Sequence, residues 1–77
     1  MPTNAKRRAD LKAIGSRIKE LREAERQDDF APFLGITQGQ LSKIERGMQA
    51  PTVDVLLRLS ERYRKSVDWI LKGEERG

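Results

Sequence analysis

Apolar side chains return along this 77-residue chain at intervals of three and four. Leu11, Ile14, Ile18 and Leu21 form one stripe of an amphipathic helix over about residues 10–25. Asp10 is placed to cap it, while Arg17, Lys19, Glu20, Arg22 and Glu23 mostly fall on its other faces. Gly15 lies inside this stretch, where glycine costs about 1 kcal/mol relative to alanine, so its position predicts the close approach of another helix. A second, short segment, residues 29–34, carries Phe30, Ala31, Phe33 and Leu34 and stops at Gly35. Proline is comfortable only in a first helical turn, so Pro32 predicts that this helix is capped by Asp28 or Asp29.

The third segment opens on Thr37-Gln38-Gly39-Gln40, a capping-box pattern, continues through Leu41 and Ile44, and ends at Gly47. After a loop at Met48-Gln49-Ala50-Pro51, Thr52 predicts the start of a fourth helix whose inward side chains are drawn from Val53, Leu56, Leu57, Leu59 and Tyr63. Ser66 predicts the start of a fifth, holding Val67, Trp69, Ile70 and Leu71. No alternating, β-branched run is bounded by turns, so the fold class is all-α. The organisation expected is a flexible basic arm at 1–9, one domain at 10–72 and a frayed tail at 73–77.

Composition narrows the chemistry. With no cysteine and no histidine there are no disulfides, Cys/His zinc sites or thiol nucleophiles, and the usual proton shuttle near neutral pH is missing. A core this small leaves no room for a deep cleft between lobes, and neither a nucleophile–base pair nor a glycine-rich phosphate loop can be assembled. The chain is therefore expected not to be an enzyme and to need no cofactor or metal. No apolar run reaches the length of a bilayer span, and no membrane contact is expected; the reading is a cytoplasmic protein. The net charge of +4 hints at an anionic partner, yet residues 1–26 carry +4 while residues 27–50 carry −1.

Residues 27–47 have the spacing of two short helices joined by a tight turn: Ala31 is small where backbones meet, and Gly35 tolerates positive φ. Ile36, Leu41 and Ile44 tie the second helix to the core, leaving Thr37, Gln38, Gly39, Ser42, Lys43 and Arg46 outward. From Ile14-Gly15-Ser16-Arg17-Ile18-Lys19-Glu20-Leu21-Arg22 through Leu34-Gly35-Ile36-Thr37-Gln38, Leu41-Ser42-Lys43-Ile44-Glu45-Arg46-Gly47, Pro51-Thr52 and Ser66-Val67-Asp68-Trp69-Ile70-Leu71, the chain resembles phage-repressor/Cro-type (XRE family) helix-turn-helix domains.

That resemblance implies a five-helix, lambda-repressor-like bundle in which a recognition helix, about residues 38–46, enters the major groove of double-stranded DNA. It further implies a transcriptional regulator, commonly a homodimer on a palindromic operator, with a toxin-binding antitoxin as the alternative. Gln38 can pair bidentately with adenine; Lys43 can read guanine or hold phosphate, and Ser42 faces the same way. Gln40 either closes the capping box or faces DNA. Gly39 either permits close approach of the duplex or marks a missing contact. Arg46 and Gln49 flank the phosphate backbone. By resemblance, Gln27 contacts a phosphate and Arg22 pairs with Glu45. Three departures stand out: the link from Arg22 to Phe30 is shorter than usual, Pro32 replaces an ordinary helix former, and Arg64 stands where a helix-ending glycine is common. Asp28 and Asp29 would repel phosphates. Lys6-Arg7-Arg8 either reaches DNA or serves only solubility, and Trp69, Ile70 and Leu71 cover the core or extend into a dimer interface.

Overall fold

Every helix but one begins where a side chain caps it. The computed structural model describes residues 10–73, which hold five helices: α1 (Leu11–Arg22), α2 (Gln27–Leu34), α3 (Gln38–Glu45), α4 (Val53–Tyr63) and α5 (Val67–Lys72). Asp10, Thr37, Thr52 and Ser66 accept from the backbone N–H groups of Ala13, Gln40, Val55 and Trp69, so four of the starts follow from local sequence. The helices carry no strand between them among the described residues, as the hydrophobic pattern requires. The expected arm at residues 1–9 and the tail beyond Gly73 lie outside the described residues.

The exception is α2. Its N-cap is Arg26, which makes no side-chain capping bond, and Asp28 and Asp29 lie inside the first turn where they face the positive end of the helix. The capping role expected of the two aspartates is therefore corrected, and Pro32 sits well inside the helix. Proline has no N–H and so removes the bond that the Asp28 carbonyl would otherwise accept in the helix. The helix starts two residues earlier than expected, after a link fastened at Glu25. Arg22 Nη1 donates to the Glu25 carbonyl at 2.7 Å, and Arg62 Nη2 reaches the Glu25 carboxylate at 3.2 Å. α1 ends at Arg22, three residues short of expectation, with Glu23 at φ 53°.

The core draws on every helix: Ile14 and Ile18, Phe30, Ala31 and Leu34, Leu41 and Ile44, Val55, Leu56 and Leu59, and Ile70 are all buried. α1 packs on α3 and α5, and α2 packs on α3 and α4. Gly15 is the point of closest approach between α1 and α3, as its position predicts. A Cβ there would lie 2.6 Å from the Glu45 carbonyl oxygen and overlap that of Ile44. Two of the residues expected to face inward on α4 do not: Val53 is 71% exposed and Leu57 49%, and Val55 takes their place.

The far side of the bundle is held by cations on carbonyls and rings. Arg17 Nη1 donates to the Ile70 carbonyl at 2.9 Å, Arg58 Nη1 donates to that of Phe33 at 3.1 Å, and the Arg62 guanidinium lies 4.6 Å from the Phe33 ring centre. Ile70 is buried, with Trp69 and Leu71 packed against the same core. α4 ends at Arg64 in a left-handed conformation, φ 56° and ψ 38°, where the departure from glycine is thus a real backbone cost. Two outcomes follow for urea unfolding monitored by circular dichroism. Gly15→Ala lowers stability by about 1–3 kcal/mol through the α1–α3 clash, and Arg64→Gly raises it by about 0.5–1 kcal/mol.

Candidate nucleic-acid interface

The outward face of α3 is set by what its inward face must do. Leu41 and Ile44 are buried, so the residues between and before them, Thr37, Gln38, Gly39, Gln40 and Lys43, are exposed, with Ser42 half-buried beside them. Arg46, the C-cap, is exposed, and its Nε donates to the Ser42 carbonyl at 3.3 Å. Gln49 is half-buried in the loop that follows. All eight of these sequence-derived candidates thus fall on α3, at its two caps or in its following loop.

Thr37 and Gln40 form a complete capping box. Thr37 Oγ1 accepts from the Gln40 backbone N–H at 3.1 Å, and Gln40 Oε1 accepts from the Thr37 backbone N–H at 2.9 Å. Of the two roles open to Gln40, capping is the one its carbonyl performs. Gly39 stands in open space: a Cβ there would meet only Thr37 Oγ1, at 4.0 Å. No packing requirement of the fold accounts for glycine at that position. The Lys43 carbonyl accepts from the Met48 N–H at 2.8 Å, but its side chain makes no hydrogen bond or ion pair with the other described residues, and its charge is free for a partner.

Behind this face lies a buried acid. Glu45, the last residue of α3, is only 8% exposed and takes both oxygens' worth of bonds from Arg22: Nε to Oε2 at 2.6 Å and Nη2 to Oε1 at 2.8 Å. The ion pair implied by the resemblance is present. Hydrogen bonding to Glu45 outweighs burial and raises the Arg22 guanidinium above its ordinary value, keeping it charged. A third donor was not foreseen. Gln27 Nε2 donates to Glu45 Oε1 at 2.9 Å, while Gln27 Oε1 accepts from Gln38 Nε2 at 2.6 Å. Gln27 therefore stands on the expected face but touches Gln38 directly, a contact between residues eleven apart that no local pattern signals. Asp28 and Asp29, both exposed, stand on the same turn, with Asp28 in a loose pair with Arg26 at 3.3 Å.

This arrangement of two short helices, a glycine turn and an exposed second helix matches known proteins. A helix-turn-helix family model covers residues 18–70. The chain belongs to the phage-repressor/Cro-type helix-turn-helix family. The HTH-type transcriptional regulator ImmR of Bacillus subtilis (strain 168) is 37% identical to it over 65 residues, 82% of this chain and 51% of that protein. The chain thus spans about half the length of that relative. Among solved structures, the P22 c2 repressor protein in complex with a synthetic operator aligns with a TM-score of 0.71 and 32% identity, over 79% of this chain and 96% of that one.

The helix-turn-helix unit itself runs from Gln27 to Glu45, with Gly35 at φ 74° in the turn and the Ile36 N–H closing onto the Ala31 carbonyl at 3.1 Å. The Arg22–Glu45 pair welds this unit to α1. Arg22→Ala is expected to cost about 3–5 kcal/mol in urea denaturation by stranding a buried carboxylate, whereas an apolar replacement of both partners costs less. Gly39→Ala goes the other way, raising stability by about 0.5–1 kcal/mol in the same assay.

Proposed function

We infer that this helix-turn-helix protein is a transcriptional regulator that binds double-stranded DNA sequence-specifically by placing α3 in the major groove. The observation that carries the reading is Gln38, exposed at the first position of α3 and held from behind by Gln27. A glutamine fixed in that way presents a donor and an acceptor to a base edge, the pattern that adenine N7 and N6 complement. The likeness to the P22 c2 repressor, solved in complex with an operator, supports DNA binding. Ser42 and Lys43, further along the face, are proposed to meet the next base edges or phosphates. Gln27, Thr37, Arg46 and Gln49 are proposed to hold the backbone, with Gln40 adding the N–H groups its cap leaves free. Gly39 is proposed to let the groove wall approach the helix. The work is binding, not catalysis.

We further infer a homodimer on a palindromic operator, which requires the two α3 helices to lie about 34 Å apart, one turn of the duplex. No helix among the described residues is long and apolar enough to cross a membrane.

Selection of bound duplexes from a random library tests the reading. The expected result is an enriched, symmetric motif whose affinity falls as salt rises, with a log–log slope of about −0.9 per phosphate contacted. Gln38→Ala costs about 1–3 kcal/mol and relaxes preference at one base pair, while Arg46→Ala weakens all sequences alike and reduces the slope by about 1. If Gln38→Ala and Lys43→Ala both leave affinity and preference unchanged, α3 is not the reading surface.

A further inference from the structure

An amide side chain can be turned either way round, and which way decides what it reads. Here the choice is forced from the core. Both oxygens of Glu45 accept, from Arg22 and from Gln27, so the Gln27 amide must face the acid with its NH2 group, as observed at 2.9 Å. The Gln27 carbonyl oxygen then points at Gln38, and Gln38 must meet it with its own NH2, as observed at 2.6 Å. What Gln38 has left to offer is its carbonyl oxygen and one N–H. That acceptor–donor pair fits adenine, which presents the N6 amino group and N7. With the relay reversed, Gln38 would bond to Gln27 through its oxygen and present only N–H groups, a donor–donor pair that fits guanine O6 and N7.

We propose that Glu45, held in place by Arg22, is a positioning residue for base recognition: its charge fixes the polarity of the Gln27 and Gln38 amides and so sets adenine over guanine at the base pair under Gln38. The proposal rests on the DNA-binding reading above and adds a specificity determinant that never touches DNA. Arg22 contributes by donating to both carboxylate oxygens, which fixes the acid beneath Gln27. The two glutamines need no help from the duplex to adopt this order. The geometry exists in the free protein, so the side chain is oriented before the bases arrive.

The test compares the affinity for the best selected duplex with that for its derivative carrying G·C in place of A·T under Gln38, at a temperature where each variant is folded by circular dichroism. The wild type is expected to prefer adenine by roughly 5- to 150-fold, the range of one bidentate pair. Glu45→Gln, whose amide accepts either order, is expected to collapse that ratio towards one. Gln27→Met leaves the ion pair intact, removes the relay, and is expected to do the same. The double variant Gln27→Glu with Glu45→Gln moves the obligate acceptor one step along, so that Gln38 must again donate, and is expected to restore the ratio. A loss of structure alone lowers binding to both duplexes equally and gives no rescue. If Glu45→Gln keeps the wild-type ratio, or the double variant fails to recover it, the relay is overturned. If the wild type shows no preference and Gln38→Ala changes nothing, it is the DNA-binding reading itself that fails.

Discussion

The carboxylate of Glu45 is where three helix ends meet. It closes α3, binds the last residue of α1 through Arg22 and the first residue of α2 through Gln27. Apolar stripes bring helices together but leave them free to roll and slide by fractions of a turn, because hydrophobic attraction has no direction. A bidentate pair does have direction. Burying it gains little stability compared with apolar residues of the same volume, yet it tolerates only one rotation of α3 about its axis. That rotation decides which side chains of α3 face out.

Backbone contact enforces the same choice. The carbonyl groups of Ile44 and Glu45 rest against Gly15, so the end of α3 is clamped to α1 by its main chain as well as by its acid. A close approach of this kind shortens the distance over which Arg22 must reach, which explains how a long guanidinium side chain comes to lie mostly buried with every contact short. The tight link between α1 and α2 follows from the same geometry: Arg22 spends a further N–H on the Glu25 carbonyl, and the chain has just enough residues left to deliver Gln27 to Glu45.

Local chemistry was legible in the sequence, and tertiary choices were not. Four helix starts are plain because a cap acts across three residues, so Asp10, Thr37, Thr52 and Ser66 declare themselves. The start of α2 is hidden because it has no cap; it is decided by where Gln27 must stand, eighteen residues from its partner. The phase of α4 is ambiguous for a different reason. Val53, Val55, Leu56, Leu57 and Leu59 fit two overlapping stripes, and only packing against α2 and α5 selects Val55 over Val53 and Leu57. On the candidate face, the outward set from Thr37 to Arg46 could be read from the buried Leu41 and Ile44. The link between Gln27 and Gln38 could not.

Charge played a smaller part than the composition suggests. The segment that builds the candidate face carries a net −1, and Asp28 and Asp29 stand exposed on the turn that holds Gln27. At physiological ionic strength a charge is felt over about 8 Å, so basic residues elsewhere in the chain do little to offset carboxylates beside the groove. On the proposed function, such a face binds arbitrary DNA weakly, because phosphate neutralisation supplies most non-specific affinity. Its discrimination then rests on directed hydrogen bonds, which reward only the right base. Weak general attraction combined with a pre-oriented amide widens the gap between the operator and all other sites, and that ratio, not the absolute affinity, is what a regulator among many competing sites requires.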